Sequence, residues 1–159
     1  MSSGVSPATE EGNVIRTSGI ISALTPAGVD TTLWWVTRSP GGTLWAGGDG
    51  ATVLRSNGAG GFDPVEVPAS DGTVFGIWAA ADDDVWLVGG KGTAGAFVWR
   101  FDGARVVAST GLPDGIASGN IVYKVWGASK DDVWFCGSAG LLLHWDGAAF
   151  TRFTTNGET

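Results

Sequence analysis

The residues that could do chemistry are few, and their placement argues against a reaction centre. His144 is the only histidine and Cys136 the only cysteine in 159 residues. A Ser-His-Asp triad or a zinc set needs histidine beside further ligands, and one histidine in the strand-like run LLLHWD supplies neither. Cys136, mid-strand in VWFCG, is expected to be a small buried hydrophobe rather than a reactive thiol. Asp82, Asp83 and Asp84, with Asp131 and Asp132, form clusters of the kind calcium wants. They recur, however, where a turn between two strands is expected, and there an Asp side chain caps backbone amides. No phosphate-binding glycine loop, nucleophile elbow or zinc spacing is present. SPGGTLW (39–45) is faintly like a sialidase Asp-box but lacks its Asp. The reading is a non-enzyme with no cofactor and no metal.

Composition narrows the class further. Hydrophobic residues make up 43% of the chain, enough for a sizeable core. The 27 glycines set between short apolar runs point to many tight turns and short strands. A net charge of −7 with nine scattered Lys and Arg excludes a nucleic-acid binder and disfavours anionic membrane surfaces. No apolar run approaches a membrane span, and the start MSSGVSPATEEGN has no signal-peptide core. Low charge with abundant Trp and Gly suggests a bacterial surface or periplasmic setting.

These residues are positioned by a repeat. LWAGG (44–48), VWLVGG (85–90) and VWFCG (133–137) align, making Trp45, Trp86 and Trp134 equivalent, 41 and 48 residues apart. Without a gap, Trp34, Phe75 and Tyr123 then stand eleven positions upstream, and LRSNG (54–58), WRFDG (99–103) and LHWDG (143–147) coincide downstream. This period is that of a propeller blade, four antiparallel strands that bury both faces only by stacking on neighbours. Trp45, Trp86, Trp134, Trp78 and Trp126 are therefore expected in the packing between blades. Asn57 or Asp102 before Gly is expected to supply the positive φ of a tight hairpin.

The expected organisation is a flexible leader (1–12), the outer half of a blade (13–30), and blades at 31–72, 73–119 and 120–159. The half-blade rests on VIRTSG (14–19), which matches VLRSNG (53–58). About three and a half blades fall short of the four to eight of closed propellers. The chain thus reads as part of a longer propeller, with a self-closing homo-oligomer as the alternative.

VWGASKDDVWFCGSAGLLLHWDG (125–147) resembles the Trp- and Gly-rich propeller repeat of secreted and lipid-anchored bacterial proteins, VWGxSxxDVWxVGxxGxxxHWDG. The match is close at 122–147, looser at 74–103, and degenerate at 33–58. It is similar also to the propellers of two-component regulators and to photosystem-assembly-factor-like propellers. The resemblance implies an all-β partial propeller with a non-catalytic binding or scaffolding role.

Two length irregularities, KGTAGA (91–96) and STGLPDGIASGN (109–120), fall in connections that emerge on one face of an up-and-down blade. The inner-strand slot Trp35, Gly76 and Lys124 varies between copies and is expected to face the channel. Trp35, Lys91, Asp114, Asn120 and Lys124 are thus expected to border a recognition surface. The function expected is protein interaction or assembly, through a protein partner or self-association. A carbohydrate-binding propeller, with exposed aromatics stacking on sugar rings, is the alternative. A glycan hydrolase ranks third, since it needs two opposed carboxylates.

Overall fold

The computed structural model describes residues 29–153. The expected leader and nearly all of the expected half-blade lie outside those residues. Within them the chain is all-β, with twelve strands in three four-stranded antiparallel sheets. The first blade comprises β1 (Leu33–Arg38), β2 (Leu44–Gly48), β3 (Val53–Ser56) and β4 (Phe62–Pro64). The second comprises β5 (Thr73–Ala81), β6 (Asp84–Lys91), β7 (Gly95–Phe101) and β8 (Val106–Ala108). The third comprises β9 (Val122–Ser129), β10 (Asp132–Gly137), β11 (Leu142–Trp145) and β12 (Phe150–Phe153). In every sheet the spatial order of strands is the order of the chain.

Strand alternation explains why near-continuous apolar runs are needed, because side chains i and i+1 enter different interblade layers. In β6, Val85 and Leu87 pack into one cluster with Trp45, Val53 and Ile77 of the first two blades. Trp86 and Val88 pack into another with Val125, Val133 and Phe135 of the third. Trp45 and Trp86 are fully buried, as their repeat position predicts. Removing either to Ala would cost about 3–5 kcal/mol, the range for large core aromatics.

The expected burial of all five tryptophans between blades breaks down at the open end of the stack. Trp78 meets the third blade, where a Cβ on Gly127 would lie 2.5 Å from its ring. Trp126, its counterpart one blade on, is 60% exposed, contrary to the expected burial. Its face of the third blade has no neighbour among the described residues. For the same reason Cys136 is exposed rather than a buried hydrophobe. Trp134, on that face too, is partly buried under the His144 ring, with centroids 4.2 Å apart.

Turn chemistry also departs in detail from expectation. Positive φ falls on the glycines themselves, Gly58 (74°), Gly103 (92°) and Gly147 (92°). The preceding Asn57, Asp102 and Asp146 instead accept hydrogen bonds from the two backbone amides of their own turns. The aspartates between first and second strands serve neighbouring strands more than their own turns. Asp82 accepts from the Ser39 hydroxyl and the Gly41 amide (3.1 Å) of the adjoining blade. Asp84 holds Arg100 through two bonds of 2.7 Å, which raises the arginine's pKa. In the equivalent slot Asp132 accepts from the Trp134 indole (2.9 Å) and pairs with His144 Nε2 at 2.7 Å. His144 is thus a hydrogen-bonding strand residue, as its place in the repeat predicts.

Candidate functional site

The inner strands β1, β5 and β9 pack side by side, and each carries an irregularity at the same place. Pairing runs from Leu33 to Trp35, from Val74 to Gly76 and from Val122 to Lys124, skipping one residue each time. The skipped residues are Trp34, Phe75 and Tyr123, all aromatic. A bulge re-aims the side chain it carries, and here three equivalent bulges assemble one aromatic row. Ring centroids are 6.3 Å apart from Trp34 to Phe75 and 5.4 Å from Phe75 to Tyr123. Trp34 is 55% exposed and Tyr123 39%, with Phe75 half-buried between them.

The row is held in place by polar contacts at the rim. Asp49, in the β2–β3 connection, accepts from the Trp34 indole N–H at 2.7 Å and the Thr73 hydroxyl at 2.8 Å. Those bonds, the Trp34 bond foremost, hold its carboxyl below the usual aspartate range. Gly48, Gly89 and Gly137 lie so close to the carbonyls of Thr32, Thr73 and Ile121 that a Cβ would overlap them. Glycine at this position lets the second strand approach the start of the first in all three blades.

The expected slot Trp35, Gly76 and Lys124 comes together, but not as a channel lining. The bulges turn Trp35 into the first interblade layer, where its indole donates to the Ile77 carbonyl at 2.8 Å. Gly76 is buried against the backbone of Tyr123 and Lys124. Lys124 remains exposed and lays its ammonium 3.9 Å from the Trp35 ring centroid, within 3.4 Å of the Phe75 carbonyl. Two expected site residues, Trp35 and Lys124, are therefore in direct contact beside the aromatic row.

The other three sit at the rim, Lys91 at the end of β6 and Asp114 and Asn120 in the connection before β9. The irregular connections do share a face, since Gly95 lies against the Ala117 carbonyl. Lys91 is paired with Asp71 there, and Asp114 is exposed. Asn120 is only 9% exposed, and its amide donates to the carbonyls of Gly115 (2.6 Å) and Ser118 (3.3 Å). It shapes the loop from within instead of presenting a surface, because a buried amide must satisfy its donors locally.

Sequence reasoning aligned Trp34, Phe75 and Tyr123 without assigning them a site. The available signal was an aromatic in all three copies beside a slot that varies. Trp34 also borders an apolar groove of about 330 Å³ with Leu33, Val36, Ala46, Leu54 and Phe62. A cleft of about 640 Å³ on the opposite rim includes Asp83, Asp84, Arg100 and Lys130, but its arginine is already committed to Asp84. Among the described residues, no three His, Cys, Asp or Glu side chains are grouped to hold a metal ion. Among them also, no helix is long and apolar enough to cross a membrane.

Three antiparallel four-stranded sheets, stacked face to face with their first strands adjoining, place the chain in the β-propeller class. No protein-family model matches it, and no curated protein matches it significantly. Among solved structures it is similar to YCF48 bound to D1 peptide, with a TM-score of 0.58 and 20% sequence identity. The alignment covers 74% of this chain and 38% of that one, so the chain spans less than half of that neighbour's length. The likeness is one of fold.

Proposed function

We propose that this chain is a non-catalytic propeller interaction module, which takes a segment of a partner protein over the aromatic row of its inner strands. The observation that carries the reading is the row itself. Three bulges, one per blade, leave Trp34 and Tyr123 substantially in solvent with Phe75 between them. Large aromatics held rigid and exposed are the residues that dominate protein-recognition energetics. The neighbouring propeller of YCF48 is described bound to a peptide, which fits such a role. The rings are tilted against one another, at 53° and 66°, an arrangement that offers edges more than the broad face on which a sugar ring stacks. An extracytoplasmic setting and further blades, contributed by a longer chain or by association, belong to the same proposal.

Panning a displayed random-peptide library against the whole chain, in parallel with a glycan array, tests the reading. Peptides should be enriched, and enrichment should fall when Trp34→Ser is used as the bait. Glycan binding without peptide enrichment, or peptide enrichment indifferent to Trp34→Ser, would overturn it.

A further inference from the structure

We infer that the segment taken at the inner strands is extended, sets apolar side chains at alternate positions over the three rings, and carries an acidic residue facing Lys124. This rests on the interaction reading above and specifies its ligand chemistry. Spacing is the first argument. The ring separations of 5.4 and 6.3 Å are close to the roughly 6.6 Å that an extended chain advances in two residues. A polyproline helix, which repeats every three residues over about 9.3 Å, would miss alternate rings. The second argument is the backbone. Pairing skips Trp34, Phe75 and Tyr123, so the ladder is interrupted beneath the ligand. An extended segment has free N–H and C=O groups to offer there, whereas an α-helix has already satisfied its own.

Charge supplies the third argument. The sequence has three lysines, Lys91, Lys124 and Lys130. Lys91 is paired with Asp71 and Lys130 with Asp131 at 2.9 Å. Lys124 has no carboxylate partner among the described residues, and its ammonium is fixed by an aromatic face and a carbonyl. A cation already immobilised beside the middle ring loses little freedom on meeting an anion. The chain as a whole carries a net charge of −7, so a cation held beside the row is where an acidic residue of the ligand gains most. Asp49 reinforces the choice from the Trp34 end, where its carboxylate would repel a second one.

The test uses three capped peptides and the whole chain, with affinity measured by fluorescence anisotropy. The first has Leu at three alternate positions, Glu at the next alternate position beyond the last Leu so that it shares their face, and Ser elsewhere. The second has the same composition with the three leucines contiguous, and the third has Lys in place of Glu. The first should bind about tenfold tighter than either, a difference of about 1.4 kcal/mol. Lys124→Gln should abolish the preference for Glu over Lys while keeping the preference for alternate leucines. Equal binding of the contiguous peptide, a Glu preference that survives Lys124→Gln, or no binding by any of the three would overturn the inference. In each of those cases the broader interaction reading still stands if library panning enriches peptides that depend on Trp34, which separates the two failures.

Discussion

Blade stacking at the junction of the second and third sheets makes a prediction in which one substitution changes sign with its background. A Cβ on Gly127 would lie 2.5 to 2.8 Å from three carbons of the Trp78 ring, where comfortable contact is about 3.5–4.0 Å. The ring would have to retreat by about 1 Å. Beside it on the next strand stands Trp86, its cross-strand partner, locked against Phe135, Trp145 and Phe150 with centroids 5.4 to 6.0 Å away. Overpacking of this kind costs about 1–3 kcal/mol. The backbone itself accepts alanine, because Gly127 is not among the positive-φ glycines, and replacing a strand glycine gains about 0.5–1 kcal/mol. Gly127→Ala should therefore destabilise the chain by about 1–2 kcal/mol. In a Trp78→Ala background the obstacle is gone, and the same change should stabilise by about 0.5–1 kcal/mol. Urea unfolding followed by far-ultraviolet circular dichroism gives all four corners of the cycle without depending on tryptophan fluorescence. A Gly127→Ala effect of the same sign and size in both backgrounds would refute the stacking of Trp78 on the third blade.

Four other outcomes follow from the blade arrangement. Asp84→Ala strands the partly buried Arg100 guanidinium and should cost about 2–3 kcal/mol in urea unfolding. In the first blade Thr43 stands at the aspartate's position and Arg55 instead lies over the Trp45 and Phe101 rings. Thr43→Asp should then gain up to about 1 kcal/mol, and a loss would mean that the slot is not equivalent. Asp102 and Asp146 have pKa values lowered by the backbone amides of Arg105 and Ala104, and of Ala149 and Ala148. A depressed folded-state pKa means stability that is present above the unfolded value of about 3.9 and is lost as pH falls through the folded one. The double variant Asp102→Asn/Asp146→Asn, which copies the uncharged Asn57 turn, should flatten the acid limb of unfolding midpoint against pH, and an unchanged slope would count against those turns. Cys136 should react with a thiol reagent in the native state at a rate near that of a free thiol. Reaction limited by unfolding would show that face of the third blade to be covered.

The recurrence of Trp45, Trp86 and Trp134 and the glycines after Asn57, Asp102 and Asp146 determined the strand count, the blade period and the burial of the first two tryptophans. Those are local or periodic properties, since a side chain's face follows from its parity along a strand and a turn from its Gly and Asx residues. Parity is also where sequence reasoning failed. A bulge shifts every following residue to the other face, so Trp34, not Trp35, emerges into solvent, and no residue type announces the bulge. The fates of Trp126 and Cys136 were equally hidden. Trp126 has the same repeat position as Trp78, and only the stack decides which of the two meets a neighbour. Pairing of Lys124 with Trp35, residues of the third and first blades, likewise depends on three inner strands converging. Such contacts join residues far apart in the chain, and only the stacking of the sheets brings them within reach.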